Sequence, residues 1–116
     1  MRFGKLHFGS IKIDGVTYTH DLVIDRGRLA KRKKKPSKQF RKDFGHTPVS
    51  IEENLPWKCR RLIIGTGNHG SLPVMEEVKQ EAHRRKIELL IIPTDEAIDE
   101  LEKKPEDTNA ILHITC

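Results

Sequence analysis

The chain has 116 residues, 35% of them apolar, two cysteines and a net charge of +5, which suits one domain around one core and is too short for two. Its longest apolar runs, Leu62 to Ile64 and Leu89 to Ile92, are strand-sized and far below the ~20 residues of a membrane span, and two cysteines exclude a disulfide scaffold. With no apolar signal core and with Asp14, Asp21 and Asp25 near the N-terminus, a cytoplasmic protein with reduced thiols at Cys59 and Cys116 is expected.

The charge is unevenly spread. Residues 26 to 42 hold ten of the 22 Lys and Arg and no acid, and the rest of the chain carries 12 basic and 17 acidic residues, a balance of −5. The basicity is therefore local, and the high pI does not describe the whole surface.

Leu6 and Phe8 alternate in one phase and Ile11 and Ile13 in the other, which predicts a first strand bent by a bulge at Gly9-Ser10. Asp14-Gly15 between alternating runs is a strong hairpin signal, and Val16, Tyr18, Leu22 and Ile24 predict the returning strand. From Arg26 to Thr47 the residues are basic and polar without a period, and Pro36, Gly45 and Pro48 interrupt them, so a long mobile loop is expected over 26–49. Ser50-Ile51-Glu52-Glu53 has capping-box spacing, predicting a helical turn or two before Pro56.

Arg61 to Ile64 reads as the third strand and Ser71 to Arg85 as the main helix, with Met75, Val78 and Ala82 on one face. Glu76 and Glu77 near its start and Arg84, Arg85 and Lys86 near its end suit the helix dipole. The apolar run Ile87 to Ile92 predicts a strand buried on both faces, and strand, helix and strand in this order predict a right-handed parallel unit. Thr94 is expected to cap a second helix with Ala97, Ile98 and Leu101 inward, ended by Pro105, and Ala110 to Thr115 closes the chain as a strand. The chain is thus an α/β protein: an N-terminal β-hairpin followed by a βαβαβ segment.

Four stretches coincide with those of one family: Gly9-Ser10-Ile11-Lys12-Ile13-Asp14-Gly15, Leu62-Ile63-Ile64-Gly65-Thr66-Gly67, Pro93-Thr94-Asp95-Glu96-Ala97 and His113-Ile114-Thr115-Cys116. Together they resemble the Mth-type domain family, which includes an adipogenesis-associated protein and, more distantly, a mitochondrial complex I assembly factor. The resemblance spans nearly the whole chain and implies a three-layer α/β single domain with a central mixed β-sheet. It carries over no catalytic residues, because the family has no established enzymatic activity. The Lys31 to Lys35 run and the lack of a presequence set this chain apart from the longer eukaryotic relatives and argue against a mitochondrial assembly role.

Two segments are candidate sites. Gly65, Thr66, Gly67, Asn68, His69, Gly70 and Ser71 spell G-x-G-x-x-G between a strand and a helix, where glycine permits close backbone approach and N–H groups can face an anion. A dinucleotide is disfavoured, since Pro73 pushes the helix start beyond Gly70 and the acid expected after the next strand arrives late, as Asp95. A small anionic metabolite or phosphate remains a candidate ligand, against the plainer alternative of a crossover turn in which Asn68 and Ser71 cap the helix.

The second segment, Lys31, Arg32, Lys33, Lys34, Lys35, Lys38, Arg41 and Lys42, is a candidate polyanion contact. Only Phe40 and Phe44 lie nearby, a poor platform for base stacking, so nucleic acid ranks below a protein partner. No metal site is expected, because alternation puts His113 and Cys116 on opposite faces and no Cys or His pair has ligand spacing. No cofactor and no catalytic set are expected either: His69 is near Ser71, but there is no G-x-S-x-G elbow. The expected role is a non-enzymatic interaction or assembly module, with a small-anion binder or weak enzyme at Gly65 to Ser71 as the alternative, and no membrane association.

Overall fold

The computed structural model describes residues 1–116. Its elements are β1 (Phe3–His7), β2 (Ser10–Ile13), β3 (Val16–Tyr18), β4 (Leu22–Asp25), β5 (Arg28–Lys31), a 3₁₀ stretch (Lys35–Phe40) leading into α1 (Arg41–Phe44), β6 (Arg61–Thr66), α2 (Glu76–Arg84), β7 (Glu88–Ile92), α3 (Thr94–Lys103) and β8 (Thr108–His113). Strands β1-β2-β3 form a small antiparallel sheet, and a mixed five-stranded sheet runs β5-β4-β8-β6-β7. β6 is parallel to both its neighbours, while β4 is antiparallel to β8 and β5.

Period-two alternation divides the central sheet's side chains between two cores. Ile63 of β6, Ala110 and Leu112 of β8, and Leu22 and Ile24 of β4 pack against Ile11 and Ile13 of the small sheet and Ala97, Ile98 and Leu101 of α3. Leu62, Ile64 and Ile111, one residue out of phase, face the other way against Val78 and Ala82 of α2 and against Val49 and Leu55. The small sheet with α3, the central sheet, and α2 with the 49–57 segment are the three layers of an α/β domain. Burying each large aliphatic side chain on these faces contributes about 1.5–3 kcal/mol.

The Asp14-Gly15 hairpin forms as expected, with φ positive at both residues and Ile13 opposite Val16. Gly9-Ser10 is a correction: His7 pairs with Ser10 across a tight turn, and the irregularity in pairing falls inside β1, between Phe3 and Leu6. The returning strand is two strands. β3 stays in the small sheet, and β4 enters the central sheet, because Asp21 between them is tied to the main-chain N–H of Ile114 beyond β8.

The segment 26–49 also departs from a featureless loop. Arg26 and Gly27, both at positive φ, turn β4 into β5, and the 3₁₀ stretch and α1 follow. Residues 50–53 make a turn, with no helix: Ser50 Oγ accepts from the Glu52 N–H as in a cap, but the Glu53 carboxylate is drawn away to Arg32. The helix after β6 starts at Glu76, five residues later than expected. Residues 73–75 are held extended by Val49, whose N–H donates to Pro73 O and whose C=O accepts from Met75, in a parallel bridge of Val49 with Val74. β7 is an edge strand, half exposed along its length, because β8 takes the central place between β4 and β6.

Candidate functional site

The glycine turn sits where β6 ends, and its N–H groups face the chain's own last residues. Asn68 N donates to Thr115 O (2.7 Å), and His69 N and Ser71 N donate to the Cys116 main-chain oxygen (3.2 and 3.0 Å). Gly67 N donates to Thr94 Oγ1 (2.8 Å), and Thr94 N returns a bond to Gly67 O (3.1 Å). At φ +101°, a Cβ on Gly67 would lie 2.3 Å from the Cys116 carbonyl carbon, so only glycine lets residues 115 and 116 approach. Gly65 allows the same closeness to α3, where a Cβ would meet Thr94 Oγ1 at 2.9 Å.

The turn is therefore a crossover that clasps residues 115–116. Its donors are taken, α2 begins well beyond it, and Asn68 and Ser71 cap no helix, because Met75 is the residue before α2 and no side chain caps it. Thr94 likewise does not cap α3: its hydroxyl donates to His113 O and accepts from Gly67 N, bridging the turn to the end of β8. His69 is exposed beside Phe8, the ring centroids 6.5 Å apart.

A second cluster gathers under the basic segment. Arg32, in the middle of the charge run, is a correction to the solvent-facing role expected of it: it is only 3% exposed. Its guanidinium binds both oxygens of Glu53 (Nε to Oε1 2.9 Å, Nη2 to Oε2 2.8 Å), donates to Asp21 Oδ2 (3.0 Å) and to Pro48 O (3.0 Å). The planar fork is the one side chain able to satisfy these acceptors together. Buried Ser37 donates to Glu53 (2.6 Å) and contacts Ser50 (2.7 Å).

Asp21 continues the chain of contacts. Its Oδ2 lies 2.8 Å from His113 Nδ1, and His113 Nε2 lies 3.1 Å from Thr115 Oγ1. Burial pushes the Asp21 carboxyl up, but the hydrogen bond and charge of His113, then those of Arg32, outweigh it and hold it below its ordinary range. Burial likewise works against the Arg32 charge, and Glu53, then Asp21, more than compensates. An ionised Asp21 only accepts, so Nδ1 carries the proton; in neutral imidazole Nε2 is then the acceptor for the Thr115 hydroxyl.

Beside this row lies a cavity of about 260 Å³ whose lining includes Lys34, Lys38, Arg41 and His46 together with Arg32, His113 and Thr115. No carboxylate lines it. Other surface hollows differ in kind: one of about 460 Å³ runs along Phe3, Ile24, Leu101 and Pro105, and another, of about 900 Å³, mixes Arg60, Arg61 and Lys86 with Glu88, Glu100 and Asp107. Lys34, Lys38 and Arg41 thus line one concavity together with buried Arg32, whereas Lys31, Lys33, Lys35 and Lys42, likewise exposed, are not among its lining. Cys59 lines a different hollow, and burial pushes its thiol up, away from the reactive thiolate.

Asp21 and Thr115 are not singled out as site residues by the sequence, and His113 is weighed there only as a metal ligand. The available signals are an acid opening an apolar strand and the stretch His113-Ile114-Thr115-Cys116, which carries the family resemblance but assigns no chemistry to its residues.

Fold and site define a small α/β protein with a mixed sheet and a basic cavity beside a buried ion network. The chain belongs to the Mth-type domain family: residues 3–107 match the family described as a protein of unknown function (DUF498/DUF598). It is similar over 100% of both chains, at 30% identity and a TM-score of 0.82, to a conserved hypothetical protein, PH1505, from Pyrococcus horikoshii. A protein called MT938 matches at 27% identity and a TM-score of 0.69, over 98% of this chain and 97% of its own. A Mth938-like domain of Bordetella pertussis, at 15% identity and 0.60 over 97% and 84%, shares the fold. No functionally curated protein matches.

Proposed function

We propose that the chain binds a small organic anion, a carboxylate or phosphate ester, in the cavity lined by Lys34, Lys38, Arg41 and His46 and by His113 and Thr115. The observation that supports this is a concavity lined by cations and free of carboxylates, in which Arg32 is already neutralised by Glu53 and Asp21. Lys34, Lys38 and Arg41 are exposed and have no such partner, so an anion entering the cavity finds uncompensated positive charge from several side chains at once. Isothermal calorimetry with inorganic phosphate and with succinate tests it. Binding that weakens about tenfold in Lys38→Gln/Arg41→Gln, the loss of roughly 1.4 kcal/mol of charge-assisted contact, is expected, and heat-silent titrations of both probes reject the proposal.

A second proposal, the interaction module, draws on β7. No strand covers its outer edge, and Ile91 is 37% exposed there, so the main chain of Glu88–Ile92 is open to a partner strand. Ile91→Lys should abolish capture of such a partner. Nucleic-acid contact through exposed Lys31, Lys33, Lys35 and Lys42 is the weakest of the three, since Phe44 is the one exposed ring beside them. The free thiols of Cys59 and Cys116 favour a cytoplasmic setting, and no helix is long and apolar enough to cross a membrane.

A further inference from the structure

The row Asp21, His113, Thr115 has the order and spacing of a nucleophile relay: a buried carboxylate at 2.8 Å from one imidazole nitrogen, and a hydroxyl at 3.1 Å from the other. Three independent features hold it in place. Asp21 is fixed by Arg32 and by the Ile114 N–H, His113 by the Thr94 hydroxyl on its carbonyl, and Thr115 by the Asn68 N–H of the glycine turn. His113 and Thr115 both line the cavity that Lys34, Lys38 and Arg41 also line, and Thr115 is half-buried, so its oxygen can be reached by a bound molecule.

We propose that the cavity is a hydrolytic site for short acyl esters that carry a carboxylate or phosphate tail, with Thr115 as nucleophile and His113 as its base. This rests on the anion-binding proposal for the same cavity. The tail is held by the wall cations. Thr115 Oγ attacks the acyl carbon while its proton passes to His113 Nε2, and the alcohol leaves as the C–O bond breaks and takes that proton. Water then attacks the Thr115 ester, giving its proton to Nε2. The second tetrahedral adduct collapses to the free acid, and the proton returns to the Thr115 oxygen, so that ester and water give acid and alcohol. His113 and Thr115 are the catalytic residues. Asp21 is a positioning residue: it fixes the imidazole tautomer and offsets the charge the imidazole gains when it takes the proton. The glycine turn acts through the main chain, setting where the Thr115 hydroxyl sits.

The test uses mono-4-nitrophenyl succinate, which has an anionic tail, and neutral 4-nitrophenyl butyrate, with succinate binding measured on the same samples by calorimetry. Expected are turnover of the succinate ester with a kcat/KM about tenfold above the butyrate ester and an acyl adduct on Thr115 by peptide mass spectrometry. Thr115→Val, which keeps the shape and removes the hydroxyl, should lose about 100-fold or more in kcat and the adduct, while Thr115→Ser still acylates. Asp21→Asn should lower kcat with KM held, where a merely loosened cavity would raise KM. Succinate binding without turnover or adduct overturns the relay and leaves the anion proposal standing. Turnover that persists in Thr115→Val also overturns it. Acylation of Thr115 by both esters with no succinate binding keeps the relay and rejects the anion proposal; neither binding nor turnover rejects both.

Discussion

Arg32 survives in the interior as a cation because every hydrogen on its fork that faces inward has an acceptor, and two of those acceptors are anions. Such an arrangement adds little net stability, yet removing one partner leaves a buried charge without compensation. Glu53→Ala should therefore cost roughly 3–5 kcal/mol, read as a lowered midpoint in urea with unchanged slope. Asp21 sets the acid limb of stability. Its folded carboxyl lies below the ordinary value of about 3.9, so its contribution is fully present above pH 4 and is lost as pH falls through the folded value. In an acid titration of unfolding free energy, Asp21→Asn should flatten the slope below pH 4; an unchanged slope would show that Asp21 gains nothing on folding. None of this was legible at Arg32 itself. In a run of eight basic residues one differs from the others only by where β5 ends, and its partners Asp21 and Glu53 stand 11 and 21 positions away.

At the scale of elements, turns decided what the sequence revealed. Asp14-Gly15 was readable because Asp tolerates the left-handed region and Gly prefers it. Arg26-Gly27 has the same conformation, with φ of 49° and 79°, but arginine is no turn former, so the β4–β5 hairpin was hidden in the charge run. Arg26→Asn should relieve that strain and raise stability by about 0.5 kcal/mol, since the Arg26 ion pair with Asp25 is exposed and contributes little; calorimetric Tm is the measurement. β7 misled in the opposite way. A run of aliphatics suits a doubly covered strand, and the fold leaves it at an edge because β8, later in the chain, takes the place between β4 and β6. The glycine turn is legible from its spelling and its crossover role agrees with the structure; what the spelling does not show is that its N–H groups face residues 115–116 and that Asn68 and Ser71 cap no helix. Gly67→Ala places a methyl group onto the Cys116 carbonyl at a φ that L-residues rarely adopt, and should cost about 2 kcal/mol or more with loss of protection at the Asn68 amide in hydrogen exchange. If Asn68 stayed protected, the clasp on residues 115–116 would not depend on glycine.

Across the whole molecule, an acidic body carries a basic segment folded over one end of its central sheet, and that segment splits into two populations. Arg32, Lys34, Lys38 and Arg41 line the cavity together with His113, while Lys31, Lys33, Lys35 and Lys42, exposed as Lys34, Lys38 and Arg41 also are, lie outside its lining. A small anion held by the cavity and a polyanion held by the surface make different demands on them. The surface population acts through long-range attraction, which salt screens within about 8 Å at physiological ionic strength, whereas contacts inside a concavity are screened less. Lys33→Gln/Lys35→Gln/Lys42→Gln should therefore leave phosphate and succinate affinity within about twofold and remove any retention on heparin or nucleic acid, while Lys38→Gln/Arg41→Gln does the reverse. Calorimetry at two salt concentrations separates the cases, with the cavity contribution persisting at the higher one. If the triple variant weakened the small anions as much as the double one, the capture would belong to the charge of the whole segment, and the geometry that brings Lys38 and Arg41 into one cavity with Thr115 would have no bearing on it.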